Sequence, residues 1–244
     1  MPVICSDAHL DVITSGIERF EDVKRALNKT IAAAKEDGGP WVFLGDWSDP
    51  MNHRTTRCEA YAIEVAAVLR SNGIPSVWLT GNHDVVEDGH SSHTLLPLKN
   101  YAIETLDNDN YCVVLDYPTI FFPMNEEYQI VALPYTSRAG AYDPEAFIEK
   151  AAKIVRPDLK TYIIGHLDVE GITPGSETTD MPRGRQVFWP LKAIAKHFPE
   201  AKLFGGHIHK RQLWRSDGVE LQIVGSLERL SFSEEHDNPG FLVV

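Results

Sequence analysis

The sequence predicts a layered α/β fold, and three observations predict it. Short runs rich in Val, Ile and aromatic residues recur along the chain, bounded by Gly, Pro, Asp or Asn. Longer stretches with apolar residues three and four apart separate most of these runs. Five of the apolar runs end in Asp, Asn or His, which gathers polar groups at one rim of a sheet.

The elements follow in order. Pro2–Cys5 is a strand. Phe20, Val23, Leu27 and Ile31 then recur at helical steps, and Gly38-Gly39-Pro40 stops that helix. Trp41–Leu44 is the second strand. A helix from Arg57 to Arg70 turns Tyr61, Val65, Val68 and Leu69 inward and ends before Asn72-Gly73. Ser76–Leu79, Tyr111–Leu115 and Gln129–Leu133 are strands, and Pro118 and Pro123 predict an antiparallel turn-back within the run Tyr111–Leu133. Asp143 precedes a helix from Pro144 to Val155 with proline at its first position. Thr161–Ile164, a helix over Leu191–Phe198, Lys202–Phe204 and Leu221–Val224 complete the series. The polar loop from Gly171 to Gly184 is long for a compact domain, as functional loops often are.

Composition narrows the function. At 244 residues, 43% hydrophobic and 24% charged, the chain reads as one ordinary globular domain over residues 1–244. No apolar run approaches the roughly 20 residues of a membrane helix, and the first ten residues lack a signal-peptide pattern. No membrane partner is expected. Cys5, Cys58 and Cys112 are scattered without paired spacing, so reduced thiols and a cytoplasmic location are expected. The net charge of −12 excludes nucleic-acid binding through the overall field. A polyanionic substrate would need a local basic patch or bound cations.

The chemistry sits after the strands. Asp7-Ala8-His9 follows the first strand, and Gly45-Asp46-Trp47-Ser48-Asp49 follows the second. Then come Gly81-Asn82-His83-Asp84, Gly165-His166 and Gly206-His207-Ile208-His209. Asp and Asn oxygens with neutral imidazoles suit Mn²⁺, Fe²⁺ or Zn²⁺, with Mg²⁺ also admissible, and the lack of cysteine argues against a soft thiolate site. The donors are too many for one tetrahedral zinc but fit two ions sharing a carboxylate. Such a pair can clamp the attacking and leaving oxygens of a phosphoryl transfer. Manganese is the first choice.

This ordered set resembles the calcineurin-like metallophosphoesterase superfamily. The tail, Gly206-His207-Ile208-His209-Lys210-Arg211-Gln212 followed by Gly225-Ser226-Leu227-Glu228-Arg229-Leu230-Ser231-Phe232-Ser233-Glu234-Glu235 and Gly240-Phe241, is similar to the SbcD-type DNA repair exonuclease subunit within it. The resemblance implies a four-layer α/β/β/α sandwich with mixed sheets. It implies that Asp7, His9 and His209 hold one ion, that Asn82, His166 and His207 hold another, and that Asp46 bridges them. His83 would then assist the scissile phosphate, with Asp84 orienting its ring. His83 adjoins Asn82 but points the other way along an extended segment, which leaves it free for acid work. Asp49 is expected to orient a ligand histidine.

Lys210, Arg211, Arg183 and Arg185 lie near the motifs and are candidates for a phosphate-binding rim. His53, on the loop after Asp49, is a further substrate candidate, and Trp47, between two site carboxylates, could stack on a base. The resemblance implies DNA cleavage, exonucleolytic or endonucleolytic, by a metal-activated hydroxide, with an SMC-like ABC ATPase of the SbcC type as a possible partner and a homodimer as a possible assembly. SbcD-type proteins continue into a capping domain and an ATPase-docking segment, and both are expected to be absent here because the sequence stops at Val244. The acidic balance keeps open a second reading, a phosphatase or a small phosphodiesterase acting on esters such as cyclic nucleotides.

Overall fold

The computed structural model describes residues 1–49, 56–85, 93–104, 110–123, 127–135, 142–175 and 187–244. The chain opens with β1 (Val3–Cys5), a hairpin of the two-residue strands β2 (Ile13–Thr14) and β3 (Ile17–Glu18), and α1 (Phe20–Asp37). It continues through β4 (Trp41–Phe43), α2 (Thr56–Ser71), β5 (Ser76–Leu79), α3 (Leu96–Glu104) and β6 (Cys112–Leu115). Next come β7 (Thr119–Phe121), β8 (Tyr128–Leu133), α4 (Pro144–Ala151) and β9 (Lys160–Gly165). The last elements are α5 (Leu191–His197), β10 (Lys202–Gly205), β11 (Gln212–Ser216), β12 (Val219–Ile223) and β13 (Leu242–Val243).

Two mixed sheets result. The first runs β13-β1-β4-β5-β6, parallel except for β13, and the second runs β11-β12-β10-β9-β8-β7, parallel except at its two edges. The predicted turn-back exists: β7 pairs antiparallel with β8, and the chain changes sheet between β6 and β7.

Alternation along the strands explains the layers, because successive side chains point to opposite faces. In the first sheet Val3, Cys5, Trp41, Phe43, Trp78, Cys112 and Val114 pack outward against α1, α2 and α3. Their neighbours Ile4, Val42, Val77, Leu79 and Leu115 face inward. There they meet Ile130, Ala132, Ile164 and Phe204 of the second sheet. Val131, Leu133, Ile163, Leu203 and Leu221 then face α4 and α5. Both faces of each sheet are apolar and covered, which gives the α/β/β/α order.

The helix ends follow local chemistry. Gly38 adopts φ 69° at the end of α1 and donates to the carbonyl of Ala34. The Asp143 side chain caps α4 by accepting from Glu145 N and Ala146 N. That helix stops at Ala151 and passes into turns, short of the expected Val155.

Candidate metal centre

The strands deliver the motif residues to one rim. Asp7 and His9 leave β1, Asp46 leaves β4, Asn82 and His83 leave β5, His166 leaves β9, and His207 and His209 leave β10. Backbone bonds lock these loops together: Asp7 N donates to Gly45 O, and Ala8 N and His9 N to Asp46 O, at 2.8–3.0 Å. Asp7, His9, Asp46 and His207 all have positive φ, between 42° and 77°. Left-handed backbone in non-glycine residues costs of order 1–3 kcal/mol each and gathers at functional sites.

Asp84 explains how the turn at Asp46 is held. Its buried carboxylate accepts N–H groups from Asp46, Trp47, Ser48 and Gly81 at 2.9–3.2 Å. A hydrogen bond to a charged group contributes about 1.5–3 kcal/mol, enough to offset the strain at Asp46. Burial, together with the neighbouring Asp46 charge, pushes the Asp84 carboxyl up to about 6. Gly81 is required by contact: a Cβ there would lie 2.1 Å from Asp46 Oδ1. Gly45, at φ 100°, leaves no room for a Cβ beside the His166 ring.

The ligand-type groups converge. Asp7, His9 and His209 bring donor atoms within 4.8 Å of one another, and so do Asp46, His166 and His207. Asp46 Oδ2 lies 3.5 Å from His9 Nε2 and 3.2 Å from His166 Nε2, between the two groups. Asn82 Oδ1 lies 2.9 Å from both His166 Nε2 and His207 Nδ1. His9 Nε2 is buried with no hydrogen-bond partner among the described residues. A buried polar atom left so is costly unless a cation binds it. The residues therefore fit two divalent ions, with Asp46 of the second group lying against His9 of the first.

The charges agree. Burial alone would raise the Asp46 carboxyl, but His166, His83 and His9 around it hold it well below the usual range. Burial, aided by His83, pushes His9 down to about 3, so it offers a lone pair. His83 behaves oppositely: burial would lower it, yet the carboxylates of Asp46 and Asp49 raise it to about 9. Its backbone N–H donates to Asp46 Oδ1 at 2.8 Å and its Nδ1 lies 3.2 Å from Asp49 Oδ1.

Several expectations change. Asp49 Oδ1 meets the His83 ring, and the Asp84 carboxylate accepts from the turn around Asp46. Trp47 cannot stack on a base. It is fully buried against Phe43, Tyr61 and Trp78, with its indole N–H on Cys58 O. Arg211 is a strut: its guanidinium donates to Val224 O and Phe241 O, tying β12 to the tail. Lys210 is half-exposed beside His209. His53, Arg183 and Arg185 lie outside the described residues.

Sequence reasoning missed two groups that orient ligands. Asp168 Oδ1 lies 3.2 Å from His207 Nε2, and Glu234 Oε1 lies 3.0 Å from His209 Nδ1. A carboxylate just past His166 was the available signal for the first. Glu234 stood inside the tail motif with nothing to mark its partner.

Residues 3–211 match the calcineurin-like phosphoesterase family. No curated protein matches the chain by sequence. Among solved structures, a dimetal phosphatase from Danio rerio is similar at 14% identity and a TM-score of 0.60, over 93% of this chain and 87% of that one. TT1561 of Thermus thermophilus is similar at 13% identity and a TM-score of 0.57, over 93% of this chain and 89% of that one. A putative 5'-nucleotidase from Staphylococcus aureus is similar at 12% identity and a TM-score of 0.52, over 93% of this chain and 48% of that one. At such identities the likeness is one of fold. With the family matched across most of its length and the metal-ligand geometry in place, the chain belongs to the calcineurin-like phosphoesterases, a family of metal-dependent hydrolases.

Proposed function

We propose that the chain is an SbcD-type phosphodiesterase that cleaves DNA, from an end or within single strands, with manganese as its working metal. One observation carries the reading. The tail that resembles the SbcD type is built into the metal centre: Ser226 N donates to His209 O, Leu227 N to Asp7 O, and Glu234 meets the His209 ring. The same reading carries an SMC-like ATPase as partner.

Asp7, His9 and His209 would hold one ion, Asn82, His166 and His207 the other, with Asp46 shared. When bound, the ions supply Lewis acidity toward a phosphoryl oxygen and make bound water acidic near neutral pH. The chain's own residues do the rest. Asp49 meets His83 at Nδ1, so Nε2 is the ring nitrogen left to donate a proton to the leaving oxygen. Lys210, adjacent to His209, supplies a cation for a neighbouring phosphate.

The test compares linear DNA with bis-p-nitrophenyl phosphate, each with Mn²⁺, Mg²⁺ or Zn²⁺. Cleavage of DNA with manganese is the expected result. Hydrolysis of the small ester alone would favour the second reading, a phosphatase or small phosphodiesterase. That reading has the net charge of −12 behind it and the phosphatase and nucleotidase descriptions of the similar structures.

A further inference from the structure

The two histidines of Gly206-His207-Ile208-His209 face the centre through different ring nitrogens. His207 turns Nδ1 to Asn82 at 2.9 Å and Nε2 to Asp168 at 3.2 Å. His209 is reversed. Its Nδ1 lies 3.0 Å from Glu234, and its Nε2 faces Asp7 Oδ1 at 4.0 Å. An imidazole that donates one N–H to a carboxylate has its tautomer fixed and its other nitrogen left as a lone pair.

Glu234 is only 1% exposed. A carboxylate buried that far persists only when its oxygens are satisfied. Leu230 N donates to Oε2 at 2.8 Å, and the His209 ring faces Oε1. The Glu234 carbonyl accepts from Arg229 Nε at 3.2 Å, within a short 3-10 turn over Phe232–Glu234. The segment is also tied to the region after His9: Thr14 Oγ1 donates to Leu230 O at 2.6 Å and Arg19 to Arg229 O at 3.0 Å. The carboxylate is thus held from several sides while it holds one ring.

We propose that Glu234 is a positioning residue of the metal centre, which sets through His209 the affinity of the Asp7–His9–His209 half and leaves the Asn82–His166–His207 half alone. The C-terminal segment then belongs to the centre rather than covering it. This holds for any phosphoester the site hydrolyses, so it stands or falls apart from the DNA reading.

The test titrates manganese into the full chain by calorimetry, counts bound ions by elemental analysis, and compares Glu234→Ala and Glu234→Gln with the unaltered protein. Replacing a group that orients a metal ligand typically costs about 10–100-fold in metal affinity. That loss is expected for one of the two ions in Glu234→Ala, with the other unchanged. Glu234→Gln, which keeps an acceptor but loses the charge, falls between. Turnover of bis-p-nitrophenyl phosphate by Glu234→Gln is expected to return at high manganese with its KM unaltered, which a general packing defect would not allow. Circular dichroism and melting curves check folding, and the near-isosteric Gln variant carries the test if the Ala variant unfolds. Equal weakening of both ions, or of neither, overturns the proposal.

Discussion

The two halves of the proposed metal centre are oriented by different parts of the molecule. In the Asn82–His166–His207 half the orienting groups lie at the ends of sheet strands. His166 Nδ1 is 2.7 Å from the Leu44 carbonyl just past β4, and His207 is held by Asp168, shortly past β9. In the Asp7–His9–His209 half the orienting carboxylate comes from Glu234, far along the chain in the tail. Left-handed backbone occurs in both halves, at Asp7, His9 and His207. Strain therefore does not distinguish them; the source of the second contact does. One half is set once the sheets pair, and the other is complete only when the tail docks.

That difference can be sharpened by variants. The largest effect belongs to a residue of neither half. General acid–base catalysis is typically worth about 10²–10⁴-fold, so His83→Asn should lower kcat by roughly that much. Elemental analysis should still find two ions in that variant, because His83 belongs to neither proposed ligand set. Loss of an ion would mean that His83 is a ligand. Asp168→Asn should act more mildly, weakening one manganese by about 10–100-fold in the calorimetric titration. Combined with Glu234→Ala it should weaken both ions independently. If the two changes weaken the same ion, the halves are not separately oriented and the comparison fails.

Much of this was legible in the sequence, for a physical reason. Buried strands between two layers must be apolar throughout, so Trp41–Leu44 or Thr161–Ile164 stand out against their Gly-bounded flanks. The ligands stand out because they break those runs abruptly, as Gly45-Asp46 and Gly165-His166 do. Elements without that contrast were missed. The hairpin β2–β3 has two-residue strands, and β11 alternates between half-buried and exposed positions. Helix α3 was missed too, with Pro97 and Asn100 in its span.

Side-chain direction was the other gap. Trp47 sits between Asp46 and Asp49 in sequence, yet it points into the aromatic cluster of Phe43 and Trp78. Arg211 follows a metal motif, but its acceptors are carbonyls of its own fold. Neighbourhood along the chain does not fix which side of a turn a residue faces. Glu234 shows the converse: its partner lies 25 residues away, and no local pattern announces it.

The centre works as described only if Asp46 lies between two cations. Anomalous diffraction from crystals grown with manganese, collected at the manganese edge, tests this most directly. The prediction is two peaks about 3.5–4 Å apart, the spacing of two-metal phosphoryl-transfer sites, with an Asp46 carboxylate oxygen touching both. A single peak, or a pair that Asp46 does not join, would contradict it.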